Sequence, residues 1–203
     1  FHRVPPPIIV KTGTLRNLNM DKIRVRYNPL MTAKTSIAIA KILDAGLDDL
    51  PDIKEIANTI WFEHYPGIIT HEQIAYMLAR DYSLETMTND LAAGVSIDKL
   101  VVGEALAGFA SYGATKNEEV IKLHKLYLLK TFHGRGLGSM LLAHVENKAQ
   151  QAGFKSITLN VNKNNQAALN TYRSNGYENH QSVLVDIGGG FFMDDYVMAK
   201  ALG

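Results

Sequence analysis

The chain has 203 residues with a net charge of +1, and 46% of them are apolar and 20% charged, a composition that excludes a disordered chain. It contains no cysteine, which excludes disulfides, thiolate metal sites and a cysteine nucleophile and favours a reducing compartment, so we predict a cytoplasmic protein. No apolar run approaches the ~18 residues of a membrane span, and the seven histidines show no paired ligand spacing, so we predict neither a membrane span nor a metal site.

The charge is distributed unevenly along the chain. Residues 1–34 carry seven basic residues and one acid, which leaves a net charge of about −5 for the remainder. The first 35 residues show no sustained helical or strand period. We therefore predict a basic leader over residues 1–35, either added or processed, with an organelle transit peptide as the alternative. One domain follows over residues 36–203, and its mildly acidic balance argues against nucleic-acid binding.

Regular patterning begins at Ser36 with a strand, followed by three helices. Asp48 and Pro51 are typical of a helix start, and Thr70 with Gln73 has the spacing of a capping box. The apolar positions repeat at helical spacing after each start. The predicted strand covers about 37–43, and the predicted helices cover 48–63, 71–80 and 84–92.

The second half of the chain predicts a β meander and then alternating helices and strands. A hairpin is expected at Gly103, between strands over 98–102 and 105–112. In the next strand, 120–129, we expect Ile121, Leu123, Lys125 and Tyr127 to share one face. A helix to residue 151, a strand over 156–161, a helix over 165–174 and two final strands complete the order. This order predicts an α/β fold with a mixed sheet.

A glycine-rich turn lies between the strand at 120–129 and the following helix. Gly134, Gly136 and Gly138 let the backbone approach an anion without an intervening Cβ, and the helix start offers unpaired N–H groups. Arg135 adds a positive charge that can pair with phosphate. The spacing G-x-G-x-G fits neither the P-loop nor the dinucleotide fingerprint. A tight strand-to-helix turn that binds nothing is the alternative.

Two motifs at the proper separation resemble the GNAT superfamily of acyl-CoA-dependent N-acetyltransferases, over roughly residues 36–202. His133 to Gly138 is similar to the family's turn [Q/R]-x-x-G-x-[G/A], with His in place of the first Gln or Arg. The family's later N-x-x-A…Y…G-[F/Y] pattern is matched by Asn165, Ala168, Tyr172 and Gly176-Tyr177. The resemblance implies a mixed, mostly antiparallel central sheet flanked by helices, and leaves a homodimer open.

The resemblance also implies how acetyl-coenzyme A is bound as co-substrate. The pantetheine arm would pair with the backbone at the end of the 120–129 strand, and the diphosphate would lie on the amides of the glycine turn. Asn165 would form a hydrogen bond with the pantetheine arm. It also has the position of a simple helix N-cap, and both roles can hold together. The implied cofactor-binding residues are Leu126, Tyr127, Leu128, Gly134, Arg135, Gly136, Leu137, Gly138, Ser139 and Asn165.

The implied reaction needs a base, an oxyanion donor and an acid. Tyr172 matches the position whose phenol protonates the departing thiolate, and a packed aromatic side chain is the alternative. The amide of Leu128 is the implied oxyanion donor. The positions where relatives often carry a glutamate base hold His124 and Asn160. We expect His124 to be the base, since imidazole titrates near neutral pH. The alternatives are a structural histidine on the strand face and a water relay to solvent with no single base.

The tail from Asp186 to Met198 resembles bacterial spermidine/spermine acetyltransferases of the PaiA type. Asp194 and Asp195 there could attract a polyamine, or form a solvated turn before the last strand. Aromatic residues at 61–65 could line the amine pocket or close the core. The prediction is acetyl transfer to a small-molecule primary amine, polyamines first. A protein N-terminus as acceptor and a non-catalytic acyl-CoA-sensing module are the alternatives.

Overall fold

An eight-stranded mixed sheet organises the chain in this computed structural model, which describes residues 23–24 and 39–203. The predicted leader, residues 1–35, lies outside the described residues except for β1. Spatial order in the sheet is β1-β2-β3-β4-β5-β6-β8-β7, and β5–β6 is its one parallel pair. The predicted fold class is confirmed. The strands are β1 Ile23–Arg24, β2 Ile39–Asp44, β3 Ser96–Val102, β4 Ala105–Ala114, β5 Val120–Leu128, β6 Ser156–Asn162, β7 Glu178–Gly188 and β8 Phe191–Ala201.

Helices cover both faces of the sheet and create two apolar cores. On one face, α4 and α5 pack on the strands around Leu141 and Leu159; on the other, α1, α2 and α3 pack around Ile53 and Phe109. None of the helices in residues 39–203 is both long and apolar enough to cross a membrane. The helices are α1 Leu50–His64, α2 His71–Asp81, α3 Leu84–Ala92, α4 Leu137–Gln151 and α5 Gln166–Ser174.

The predicted helix starts are only partly correct. The hydroxyl of Thr70 accepts the amide N–H of Gln73 at 3.2 Å, as a capping box requires. The side chain of Gln73 does not reach back, because it donates to the carbonyl of Phe192 at 2.8 Å. The helix predicted from residue 48 begins at Leu50, with Pro51 in its first turn as predicted, and Asp48 lies in a 3-10 turn before it. The N-cap residue, Asp49, makes no side-chain capping bond, because it accepts the amide of Gly46 and pairs with Lys99.

A β-bulge interrupts β5 at His124. Ser111 of β4 lies opposite Lys125, and Tyr112 lies opposite Leu123, so His124 has no partner in the register. One extra residue in a strand reverses which side chains face each side of the sheet beyond it. The predicted shared face is therefore wrong past Leu123.

The reversal shows in the two cores. Ile121 and Leu123 lie in the core under α4, and after the bulge Leu126 and Leu128 join that same core. Tyr127 packs in the opposite core, beneath α1. The bulge thereby turns a tyrosine toward α1 that regular alternation would direct toward α4.

The β7–β8 hairpin packs against α2. The hydroxyl of Tyr76 donates to the carbonyl of Ile187 at 2.8 Å, and the guanidinium of Arg80 donates to the same oxygen at 2.6 Å. Gly189, at φ 63°, lies close against the Tyr76 ring, where a Cβ would approach within 2.9 Å. These contacts hold the hairpin against the α1–α2 side of the sheet.

A buried carboxylate joins β3 to α4. Asp98 is 1% exposed and accepts hydrogen bonds from Tyr112 Oη at 2.7 Å, His144 Nε2 at 2.9 Å and Lys148 Nζ at 3.2 Å. Burial alone would raise the pKa of Asp98, but the bonds from His144 and Tyr112 and the charge of Lys148 lower it to about 2. The group therefore stabilises the fold at neutral pH.

Candidate active site

The glycine turn leaves the first amides of α4 exposed. The backbone takes left-handed angles at Gly134 (φ 72°) and at Gly136 (φ 74°), which caps α4 without a side-chain hydrogen bond. A Cβ built on Gly134, Gly136 or Gly138 would meet no atom within 4 Å, so the turn borders open space. The first helical bond comes from Met140 to Gly136, so the preceding amides have no partner within the helix. Such a turn fits a diphosphate.

The adjoining end of β5 has a free backbone edge. β5 pairs with β6 only from Val120 to Leu123, and the two strands separate beyond that point. The amide of Leu129 donates to Ala107 of β4 at 2.9 Å. Because alternate residues point their amides to opposite sides, the amides of Leu126 and Leu128 face away from β4, toward the gap.

The three predicted backbone positions on β5 therefore differ. Leu126 and Leu128 offer backbone groups to the gap, although the Leu128 carbonyl already contacts His133 Nε2 at 3.0 Å. Tyr127 points its backbone toward β4 and contributes its side chain to the cavity instead. The histidine that replaces the family's Gln or Arg thus holds the turn against β5.

Two further residues predicted to bind the cofactor make internal contacts. The guanidinium of Arg135 donates to the carbonyl of Thr131 at 2.8 Å and lies 5.3 Å from the ring centroid of Phe132. Arg135 does not line the cavity in this arrangement. Asn165 is buried, and its Oδ1 accepts the amide of Ala168 at 3.1 Å, so its side chain caps α5 while lining the cavity.

One cavity of about 840 Å³ connects the two faces of the sheet. On the α4 side, its walls are the glycine turn and the helices α4 and α5. On the other side, its walls come from α1, α2 and the β7–β8 hairpin. The lining residues that the argument uses are Trp61, Tyr65, His124, Leu126, Tyr127, Leu128, Gly134, Gly136, Gly138, Ser139, Asn160, Asn165, Tyr172 and Asp195. The cavity therefore passes through the gap between β5 and β6.

Tyr172 of α5 lines this passage. Its ring lies 5.6 Å from that of Tyr177, and its side chain is half-buried. Burial raises the pKa of Tyr172 to about 12, so the phenol stays protonated at neutral pH. It is also near enough to Tyr65 and Tyr127 to add to the rise in the pKa of both phenols. Tyr172 can therefore donate a proton or a hydrogen bond within the gap.

An aromatic cluster forms the α1 side of the cavity. The indole N–H of Trp61 donates to Tyr82 Oη at 3.2 Å, and the hydroxyls of Tyr65 and Tyr127 lie 3.4 Å apart. Burial is the main reason that the pKa of Tyr65 lies well above its usual value, and the phenol of Tyr127 adds to it. Phe62, from the same predicted aromatic group, is exposed and lies outside the lining.

His124 lies at the bulge, on the cavity wall. Its side chain is exposed, and desolvation of the ring together with the charges of Lys122 and Lys125 lowers the pKa of the imidazole. A neutral imidazole can accept a proton. Asn160, the other position where relatives carry glutamate, also lines the cavity and is exposed.

Of the two acids that the sequence offers to a polyamine, Asp195 lines the cavity and Asp194 does not. It lies within β8, so the alternative of a solvated turn before the last strand is wrong. It is 6% exposed and lines the cavity, whereas Asp194 is exposed and pairs with Lys163 outside it. Met193 lines the same cavity two residues earlier. Successive side chains of a strand point to opposite faces of the sheet, so the sequence signal that distinguishes the two acids was their adjacent positions in β8.

Relatives of known sequence are acetyltransferases. A spermidine N(1)-acetyltransferase from Thermoplasma acidophilum is 28% identical over 148 residues, covering 70% of this chain and 89% of that protein. An L-methionine sulfoximine/L-methionine sulfone acetyltransferase from Pseudomonas aeruginosa is 28% identical over 149 residues, covering 68% of this chain and 80% of that protein.

Solved structures share the fold. The PaiA N-acetyltransferase from Thermoplasma acidophilum, in complex with coenzyme A, aligns with a TM-score of 0.69 at 23% identity, covering 80% of this chain and 98% of that one. The structure of yncA from Salmonella typhimurium, with its cofactor acetyl-CoA, aligns with a TM-score of 0.59 at 19% identity, covering 81% of this chain and 94% of that one.

The family model described as the acetyltransferase (GNAT) family matches residues 50–177, more than half of the chain. The match spans α1 to the end of α5, including the glycine turn and Tyr172. The chain belongs to the GNAT family and is an N-acetyltransferase with acetyl-CoA as co-substrate.

Proposed function

We propose that this enzyme transfers the acetyl group to the primary amine of a small molecule by direct attack of the amine on the thioester. The observation that carries the proposal is the single cavity that passes through the sheet between β5 and β6. A thioester entering from the α4 side and an amine entering from the α1 side would meet in this gap. No covalent enzyme intermediate is needed, because both reactants reach the same point.

The cofactor would follow the open backbone groups. The amides of Leu137, Gly138 and Ser139, with the glycines before them, would bind the diphosphate at the N-terminus of α4. The pantetheine arm would lie along Leu126 and Leu128 in the place that β6 leaves. Arg135 would reach a phosphate only after leaving its contact with Thr131.

The chemistry needs one proton donor and one proton acceptor. As the C–N bond forms, the Leu128 amide would stabilise the oxyanion, and as the C–S bond breaks, Tyr172 would protonate the sulfur. The ammonium loses two protons overall: one ends on the coenzyme A thiol and the other in solvent. His124, with its lowered pKa, is one proposed acceptor, and Asp195 is the other, as argued below.

A polyamine is the first acceptor class to test. The support is the similarity to a spermidine N(1)-acetyltransferase and the presence of acidic residues on the α1 side of the cavity. A protein N-terminus is the second class. The proposal also places the enzyme in the cytoplasm, in line with the cysteine-free sequence, and keeps a homodimer as one arrangement.

The test is thiol release from acetyl-CoA with a panel of polyamines, aromatic and aliphatic monoamines, and amino-terminal peptides. We expect turnover with at least one amine. Tyr172→Phe should lower kcat about 100-fold or more, since a general acid contributes ~10²–10⁴, while the Kd for coenzyme A stays within about threefold. Tyr177→Phe is the matched control, because Tyr177 is buried beside Tyr172 and does not line the cavity.

Two results would contradict the proposal. Tight coenzyme A binding without transfer to any amine would favour an acyl-CoA sensor. Turnover that Tyr172→Phe leaves unchanged would remove the phenol from the mechanism and return Tyr172 to a packing role.

A further inference from the structure

Asp195 places a buried, unpaired carboxyl in the wall of the cavity. The residue is 6% exposed, and its Oδ1 has no hydrogen-bond partner among the described residues. A buried carboxylate without a partner costs several kcal/mol, so such groups are paired or serve a ligand. The cavity supplies the space for that ligand.

The groups around Asp195 leave it incompletely satisfied. Burial raises the pKa of its carboxyl and Asp194 adds to this, while the Asn160 amide and the charges of Lys122 and Lys163 act in the opposite direction. Lys163 already pairs with Asp194, and no cation among residues 39–203 comes within 4.0 Å of Asp195. Tyr65, the residue after α1, is near enough to Asp195 for that carboxylate to add to the rise in the pKa of its phenol, which is therefore neutral. A ligand ammonium would complete this environment.

The other acids of the cavity are not equivalent. Asp90 pairs with Lys125 at 3.6 Å and Asp81 pairs with Arg80 at 2.7 Å, so both charges are already compensated within the protein. Glu63 is exposed to solvent. Among the described lining residues, Asp195 is the acid that is both buried and unpaired.

We infer that Asp195 binds the ammonium group of the acceptor amine and takes its first proton, thereby selecting cationic primary amines. This inference rests on the proposed function and assigns the acceptor side of that site. The carboxylate holds the nitrogen on the β8 side of the gap. It accepts a proton from the ammonium group, which frees the nitrogen lone pair to attack the thioester carbonyl. The carboxyl then passes that proton to solvent. Tyr172 gives its proton to the departing sulfur, and the second proton then passes from the acylated nitrogen to the Tyr172 phenolate, so the protons balance.

The test compares Asp195→Asn with Asp194→Asn, a neighbouring change of the same chemistry whose side chain lies outside the cavity. Asp195→Asn should lower kcat/KM for the best amine about 100-fold or more, whereas Asp194→Asn should stay within about threefold. Both variants should keep the Kd for coenzyme A. Activity that Asp195→Asn leaves within threefold would overturn the inference.

Two further readouts separate an acceptor role from a structural one. In the pH profile of the wild type, kcat/KM should rise with pH as Asp195 ionises. The Asp195→Asn variant should not show this rise. Because burial raises the pKa of Asp195, its charged form opposes folding at neutral pH, so Asp195→Asn should unfold at the same or a higher temperature. A lower unfolding temperature together with an unchanged pH profile would identify a structural residue.

Calorimetry keeps the inference testable if turnover is absent. Spermidine and propylamine are titrated into each protein saturated with coenzyme A. Binding that Asp195→Asn loses and Asp194→Asn keeps supports the inference, even if the wild type transfers no acetyl and the proposed function fails. Equal binding by all three proteins, or no amine binding by the wild type, overturns it.

Discussion

Replacing Gly136 by alanine tests whether the exposed amides of the glycine turn bind the cofactor diphosphate. Gly136 caps the N-terminus of α4 at φ 74°, and an added Cβ would project into the open space where the phosphates are proposed to lie. Gly153→Ala is the matched control. Gly153 follows the other end of α4 at φ 91°, and its Cβ also meets nothing within 4 Å.

The two variants should lose similar stability but differ in cofactor affinity. A left-handed angle costs a non-glycine residue ~1–2 kcal/mol, which for a domain of this size lowers Tm by about 2–8 °C in both. Only Gly136→Ala would also displace the diphosphate from its donors. A hydrogen bond to a charged group contributes ~1.5–3 kcal/mol, so its loss weakens coenzyme A binding about 10- to 150-fold.

Isothermal titration with coenzyme A and with pantetheine, beside thermal unfolding, measures both effects. Pantetheine has no phosphate, so its affinity should be the same in both variants. Equal coenzyme A affinity for Gly136→Ala and Gly153→Ala would refute the reasoning. Any loss of affinity would then come from the backbone strain that the two variants share, and not from displacement of the diphosphate.

Two predictions concern stability. Asp98→Asn leaves the buried Tyr112 and the partly exposed His144 and Lys148 without their charged acceptor and should cost about 1–3 kcal/mol, whereas Asp44→Asn, at an 85% exposed carboxylate, should cost less than about 1 kcal/mol. Because the pKa of Asp98 is depressed, the loss in the free energy of unfolding of Asp98→Asn relative to the wild type, measured with urea, should be complete above pH ~4 and should fall as the pH drops toward 2. A loss that does not change with pH would contradict this. Gly108→Ala would place a Cβ 2.3 Å from the backbone oxygen of Tyr127 and should cost about 3 kcal/mol or more, while Gly113→Ala, with 3.4 Å clearance, should be tolerated; similar unfolding temperatures would contradict the packing.

Features that depend on local sequence were predictable. The glycine turn, the N-caps of α2 and α5 and the hairpin at Gly103 depend on residues a few positions apart, and the structure contains all of them. The element order followed from the periods of the apolar residues. Together these gave the fold class and pointed to the cavity.

Features that depend on distant contacts were not predictable. Nothing in the alternation of β5 marks an extra residue at His124, because the bulge is defined by the register with β4. The side chain of Asp49, at the N-cap of α1, pairs with Lys99, fifty residues away, and does not cap the helix. Asp194 and Asp195 are chemically identical, and although the period of two in β8 puts them on opposite faces, only the packing of β8 decides which face is buried.

A crystal structure of the enzyme with coenzyme A and an acceptor amine tests the central claim most directly. The account predicts the diphosphate on the amides of residues 134–139, the pantetheine along Leu126 and Leu128, and the amine nitrogen between the sulfur and the Asp195 carboxylate. A diphosphate bound away from the turn, or an amine on the same face of the sheet as the cofactor, would contradict it.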